Sequence, residues 1–271
     1  MKISVPRGAC DAHMHIYDQA VPGAPGTFMP GHFPAADYRA MQKRLGLERV
    51  IVVQPNAYAD DNRVTLDAIR ALSPGAKGVA VVKPDVADKE LERLTQGGIC
   101  GLRIMTLHGG TLGFDVMDSL MARVHPFGWH ANIQLDGREL PKVEAQIKRL
   151  PGKFVIDHTG KFLEPVKTDA QAFRSLLNLV ETGRCWVKLS APYETSKTGA
   201  PKYEDVGRLA KALVKHAPER MLWASNWPHP SARKPKPPED ADLLDLLVDW
   251  APEEAARRKI LANNPKEFYG F

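Results

Sequence analysis

Two kinds of hydrophobic pattern alternate along this chain. Short, nearly continuous apolar runs such as Val50-Ile51-Val52-Val53 and Val79-Ala80-Val81-Val82 are separated by stretches whose apolar residues recur every third or fourth position. Runs of the first kind suit strands of a parallel sheet buried on both faces; the second kind suits helices that cover such a sheet. Eight strands are predicted, over Cys10 to Ile16, Arg49 to Gln54, Gly78 to Lys83, Ile99 to Ile104, Trp129 to Leu135, Lys153 to His158, Cys185 to Ser190 and Met221 to Asn226. Helical periodicity is clearest over Asp37 to Leu47 (Tyr38, Met41 and Leu45 on one stripe), Thr65 to Leu72, Phe173 to Val180 and Val206 to Val214. Asp37, Asp115 and Thr168 are the expected N-caps. A last helix is expected over Pro252 to Leu261, broken by Asn263-Asn264-Pro265.

Unbroken alternation of strand and helix over residues 1–271 predicts an α/β fold, a single-domain (β/α)₈ TIM barrel. An open doubly wound sheet is the competing architecture. It lacks support because no Gly-x-Gly-x-x-Gly follows any strand. Val21 to Pro34 and Ser231 to Pro238 are rich in Pro and Gly or lack periodicity. They read as loops over an active site, after the first and eighth strands.

Composition narrows the class. With 44% hydrophobic and 25% charged residues in 271, the chain can bury a large core without disulfides. Its cysteines, Cys10, Cys100 and Cys185, are far apart and each lies in an apolar run, so reduced, buried thiols are expected. The start lacks a signal-peptide core, and no run approaches the roughly 18 residues of a membrane span, which points to the cytoplasm and away from a membrane. Lys and Arg exceed Asp and Glu by 37 − 32 = 5. These charges are spread out, and the densest cluster, Arg233-Lys234-Pro235-Lys236, precedes Glu239 and Asp240. That is a solvated loop rather than a nucleic-acid groove, though a mild positive bias favours a small anionic ligand. The oligomeric state is not legible.

Candidate chemistry collects at the C-terminal ends of the strands, the catalytic face of such barrels. His13 and His15 of Asp11-Ala12-His13-Met14-His15 are two apart, so both side chains leave the same face of the first strand. Two imidazoles so placed suit one substrate or one metal ion. His158 ends the sixth strand. Asn226 ends the eighth, inside Ser225-Asn226-Trp227-Pro228-His229-Pro230; its amide exchanges hydrogen bonds but cannot act as a base. Arg103 ends the fourth strand and is the expected clamp for a substrate carboxylate. Gln54, Asn56, Gln134, Asp136, Tyr193 and Glu194 lie at other strand ends, where a polar residue serves a turn as readily as a ligand. His32, His108, His125, His130 and His216 are expected at the surface or in turns.

The Asp-x-His-x-His start and the Trp-Pro-His turn resemble the amidohydrolase superfamily over nearly the whole chain. Within it they resemble the lactone-processing branch, which holds D-galactarolactone isomerases and 2-pyrone-4,6-dicarboxylate lactonases. Gly101-Leu102-Arg103-Ile104-Met105, Asp157-His158-Thr159-Gly160-Lys161-Phe162, Tyr193-Glu194-Thr195-Ser196 and Ser225-Asn226-Trp227-Pro228-His229 are similar to the isomerase pattern. The lactonases carry Asp where Asn226 stands here, while the intact His13-x-His15 pair is the hydrolase form. The resemblance implies metal-independent conversion of an aldaric-acid 1,5-lactone to its 1,4-lactone by intramolecular acyl transfer. Lactone hydrolysis, and metal-dependent hydrolysis or decarboxylation with zinc on His13, His15 and His158, are the alternatives. A barrel that only binds a sugar acid is a further one. In the isomerase reading His158 or His15 takes the proton of the attacking hydroxyl, and His13 and Asn226 hydrogen-bond the carbonyl oxygen. Arg103 holds the carboxylate, Gln54, Asn56 and Gln134 bind hydroxyls, and Tyr193, Glu194 and His229 complete the substrate contacts.

Overall fold

The computed structural model describes residues 1–232 and 236–271; Arg233, Lys234 and Pro235 of the basic cluster lie outside the described residues. The strands β1 (Cys10–Met14), β2 (Arg49–Val53), β3 (Ala76–Ala80), β4 (Ile99–Met105), β5 (His130–Gln134), β6 (Phe154–Ile156), β7 (Cys185–Leu189) and β8 (Met221–Trp223) pair in parallel in chain order. The sheet closes just beyond β8, where the Asn226 N–H donates to His13 O (2.9 Å) and the His15 N–H to Trp227 O (2.8 Å). A helix follows each strand: α1 (Ala35–Leu45), α2 (Arg63–Leu72), α3 (Asp88–Gln96), α4 (Phe114–Val124), α5 (Leu140–Arg149), α6 (Gln171–Val180), α7 (Glu204–His216) and α8 (Asp240–Trp250). This is the single-domain TIM barrel.

Strand alternation explains the apolar runs. In β2, Val50 and Val52 pack against the helices while Ile51 and Val53 fill the barrel's interior with Ala12, Val79, Val155, Trp186 and Leu222. β1 carries an irregularity: Asp11 pairs with Val50 but Met14 with Val52, three residues advancing against two. This bulge lets Ala12 join the apolar interior while His13 and His15 also turn inward and Met14 packs outward. Asp11 faces out, where its carboxylate gathers the Ser225 N–H (2.9 Å), the Ser225 hydroxyl (2.5 Å) and the Tyr38 hydroxyl (3.1 Å), locking β1, the turn after β8 and α1 together.

Several local expectations are corrected. Asp37 and Asp115 lie inside the first turns of α1 and α4, whose cap positions are Pro34 and Gly113. Both still oppose the positive helix end, but neither caps it. Thr168 lies ahead of α6, whose cap is Ala170. Asn263-Asn264-Pro265 does not break the last helix. A short helix α9 (Glu254–Arg258) runs through a π-turn over Lys259–Asn263 into α10 (Asn264–Tyr269), with Pro265 in the first turn of α10, just past the π-turn. The end of α10 plugs the barrel's lower mouth: Phe268 and Tyr269 pack on Trp186 and on His130. His130 is therefore a buried floor residue, not a surface one, and burial pulls its pKa down to about 3. Cys10 and Cys185 are buried and Cys100 partly so; all are unpaired.

Gly101 pairs in register with His130, and a Cβ there would come within 2.6 Å of the imidazole. The Gly101→Ala variant is expected to lose about 1–3 kcal/mol of stability through overpacking, measured by urea denaturation. Unchanged stability would mean that the floor is loosely packed.

Candidate active site

Above the apolar floor, inward positions of neighbouring strands carry polar groups. Asn132 of β5, Asp157 after β6, Lys188 of β7 and His13 of β1 are all fully buried. The Lys188 ammonium donates to Asn132 Oδ1 (2.5 Å), lies 3.1 Å from His13 Nδ1 and forms an ion pair with Asp157 at Oδ1 (3.0 Å). Asn132 Nδ2 in turn donates to Asp157 Oδ2 (2.8 Å). Burial alone would raise the Asp157 pKa, but the adjacent Lys188 charge holds it well below the usual carboxylate range. Burial pushes Lys188 down, opposed by that same carboxylate.

This layer sets the histidine tautomers. Val53 O can only accept, so His15 Nδ1, 2.7 Å away, carries a proton. Neutral His15 then offers a lone pair on Nε2, and His13 Nε2, 3.2 Å from it, must donate. That leaves a lone pair on His13 Nδ1, which the Lys188 ammonium fills. Burial keeps both imidazoles neutral, His15 with a pKa of about 3 and His13 well below its ordinary value.

A cavity of about 370 Å³ opens above this layer, a size suited to a small molecule. His15, Asn56, Arg103, Gln134, His158, Glu194 and Asn226 line it, together with Gly26, Thr27 and Phe28 of the loop after β1 and Ser231 of the loop after β8. His158 Nδ1 is hydrogen-bonded to the Ser190 hydroxyl (2.8 Å), while its Nε2 has no partner among the described residues. Burial takes its pKa to about 4. Strained backbone concentrates here: His158, Thr159, Lys161 and Asn226 all have φ between 42° and 58°.

Arg103 is buried, yet no carboxylate lies within ion-pair distance of it among the described residues. Its Nη1 donates to Gln54 O (2.7 Å) and Asn56 Oδ1 (3.1 Å), and its Nη2 to Gln134 Oε1 (3.2 Å). Three of five N–H groups are thus engaged, and buried Nε has no partner. A desolvated guanidinium with donors to spare at a cavity wall is built for an anion.

Other candidates fall elsewhere. His13 lies beneath His15 and is absent from the cavity wall, so the structure does not bring it to the place expected for a substrate carbonyl. Gln54 is fully buried and holds the loop after β2 through Ala59 O, Asp61 O and the Thr65 hydroxyl. Tyr193 and His229 are absent from the cavity wall and stand behind Asn226. Asp136 caps the turn at Gly137–Glu139. His108, placed by sequence at the surface, is exposed but lies on the cavity rim. Lys161, which pairs with Glu194 at the cavity wall, was not anticipated, and neither was Lys188.

The donors that converge for a metal ion are His13, Asp157 and His158, all within 4.8 Å of one another; Asp157 rather than His15 completes the group. The Lys188 ammonium already sits about 3 Å from two of them. Two unit charges 4 Å apart at an effective dielectric constant near 20 repel by about 4 kcal/mol, and a divalent ion doubles this. With the Asp157 carboxylate already paired with that ammonium, the donor set holds a cation of the chain's own.

A closed eight-stranded barrel with paired histidines on its first strand defines the class. The chain matches the amidohydrolase family model over residues 10–271 and belongs to that family of enzymes. It is 37% identical to D-galactarolactone isomerase of Agrobacterium fabrum over 97% of this chain and 91% of that protein. It is 32% identical to 2-pyrone-4,6-dicarboxylate hydrolase of Comamonas testosteroni, over 99% and 92% respectively. An apo crystal structure of an Agrobacterium tumefaciens protein, 35% identical, superposes with a TM-score of 0.91 over 99% of this chain and 97% of that one. Among the described residues, no helix is long and apolar enough to cross a membrane.

Proposed function

We propose that this protein isomerises an aldaric-acid lactone, converting a 1,5-lactone to the 1,4-lactone by intramolecular acyl transfer without a metal ion. The observation that carries this reading is the pairing of a buried, acid-free guanidinium, Arg103, with an amide, Asn226, at the end of β8. The first suits the free carboxylate of a sugar-diacid lactone. The second leaves that strand end without a base for water, and the one carboxylate at the cavity wall among the described residues, Glu194, is committed to Lys161. Likeness to the isomerase supports the same reading.

In this mechanism Arg103 fixes the carboxylate and so orients the ring. His158 Nε2 takes the proton from the substrate hydroxyl as its oxygen bonds to the lactone carbonyl carbon. The Lys161 ammonium spends one proton on Glu194 and donates another to the carbonyl oxygen as charge develops. The old ring C–O bond then breaks, and the departing oxygen recovers the proton from His158. Intramolecular attack supplies an effective molarity on the order of 10⁵ M or more when well oriented, so alignment does most of what is needed. Water in place of the substrate hydroxyl gives lactone hydrolysis, the second reading, favoured by likeness to the hydrolases.

Incubation of chelator-treated protein with the 1,5-lactone of galactaric acid, followed by ¹³C NMR, is expected to yield the 1,4-lactone with no open-chain acid. Open-chain acid would favour hydrolysis, and activity that appears only on adding zinc would favour metal chemistry.

A further inference from the structure

Behind Asn226 a chain of hydrogen bonds runs outward to the start of α8. Asp240 Oδ1 lies 3.1 Å from His229 Nε2, His229 Nδ1 lies 3.0 Å from the Tyr193 hydroxyl, and that hydroxyl lies 2.9 Å from Asn226 Nδ2. Its direction follows from what each group can do. The carboxylate of Asp240 accepts, so His229 carries its proton on Nε2 and a lone pair on Nδ1. Tyr193 must then donate to His229, and its oxygen is left to accept from Asn226. The amide is pinned from a second side, because Glu194 Oε1 lies 3.4 Å from the same Nδ2. A flipped amide would set its carbonyl oxygen against an ionised carboxylate and a hydroxyl already donating elsewhere. Both amide protons are thus spent, and Asn226 Oδ1 has no partner among the described residues although Asn226 lines the cavity.

We propose that Asp240, His229 and Tyr193 form a one-way relay that presents Asn226 to the cavity as a hydrogen-bond acceptor. Asn226 then holds a substrate O–H and cannot serve the carbonyl oxygen, as the sequence suggested it would. This rests on the lactone-isomerase reading for its catalytic meaning: Asn226 Oδ1 accepts from a non-reacting substrate hydroxyl and so aims the attacking one, whose own proton goes to His158, and the other three are positioning residues acting through Asn226. None of the three reaches the cavity wall, so substrate affinity stays with Arg103.

Two measurements test the relay. In ¹⁵N NMR of the intact protein, His229 is expected as the Nε2–H tautomer, and the Asn226 side-chain protons should exchange with water at least about 10-fold faster in Tyr193→Phe than in the parent. A proton on Nδ1, or exchange unaffected by Tyr193→Phe, overturns the relay whether or not any lactone turns over. In kinetics, Tyr193→Phe and Asp240→Leu should each lower kcat about 10-fold or more with KM within about 3-fold, since misaimed groups cost rate rather than binding. Asp240→Asn keeps an acceptor for His229 and should retain kcat within about 3-fold. Equal losses in Asp240→Leu and Asp240→Asn, or a rise in KM alone, would contradict the role. The expected spectra with no lactone turnover would uphold the relay and instead defeat the proposed reaction.

Discussion

Replacing Arg103 with methionine is expected to lower kcat/KM by about 10²–10³-fold while leaving the fold intact. A buried charge pair that loses one partner costs about 2–5 kcal/mol. In the proposed reaction the partner is the substrate carboxylate, so the loss is expected to fall on binding and to appear mostly in KM. Stability should respond differently. The guanidinium is desolvated with no acidic partner among the described residues, and burial already pushes its pKa below the usual arginine value. Removing an unpaired buried cation relieves that cost while forfeiting the bonds to Gln54, Asn56 and Gln134. The two effects oppose each other, and Tm is expected to stay within a few degrees, about 2–4 °C corresponding to 1 kcal/mol in a chain near this size. A collapse in Tm with unchanged KM would make Arg103 a structural residue.

The second large effect is expected at His158. His158→Ala should lower kcat by about 10²–10⁴-fold, the usual contribution of a general base, with thermal stability little changed. The pH dependence has a defined sign. A base works unprotonated, and in the empty cavity the His158 pKa is held down to about 4 by burial. Activity should therefore be flat through neutral pH and fall with acid as pH drops through about 4 in kcat/KM, which reports the free enzyme. A bound carboxylate adds negative charge nearby, stabilises the imidazolium and raises the pKa, so the acid limb of kcat should lie at higher pH than that of kcat/KM. An acid limb common to His158→Ala and the parent would assign the base elsewhere.

The barrel was legible because its strands are buried on both faces. Val50-Ile51-Val52-Val53 can hardly be anything but an inner strand, and eight such runs without interruption close on themselves. The shared face of His13 and His15 was also legible from period-two geometry. What separated their roles was not: the bulge in β1 and the strand-end depth place His13 under His15, and neither leaves a mark in composition. Lys188 did leave one. A lysine inside Cys185-Trp186-Val187-Lys188-Leu189 is out of place in a buried strand unless partners meet it, and Asn132, His13 and the Asp157 carboxylate do. Tyr193 and His229 were found as polar residues near the site, but their service to Asn226 depends on Asp240, which the sequence shows only as one acid at a helix start. His130 was misplaced because a histidine opening a strand reads as a turn residue until α10 is seen to cover the floor.

In the proposed reaction the acyl group moves within the substrate and never to water. Turnover of a 1,5-aldarolactone in H₂¹⁸O, with mass spectrometry of the 1,4-lactone formed, tests this directly. The 1,4-lactone is expected to be free of ¹⁸O beyond the spontaneous background. Label in the carboxyl or lactone carbonyl oxygen at the rate of turnover would show that the ring is opened by water and then reclosed, and would contradict it.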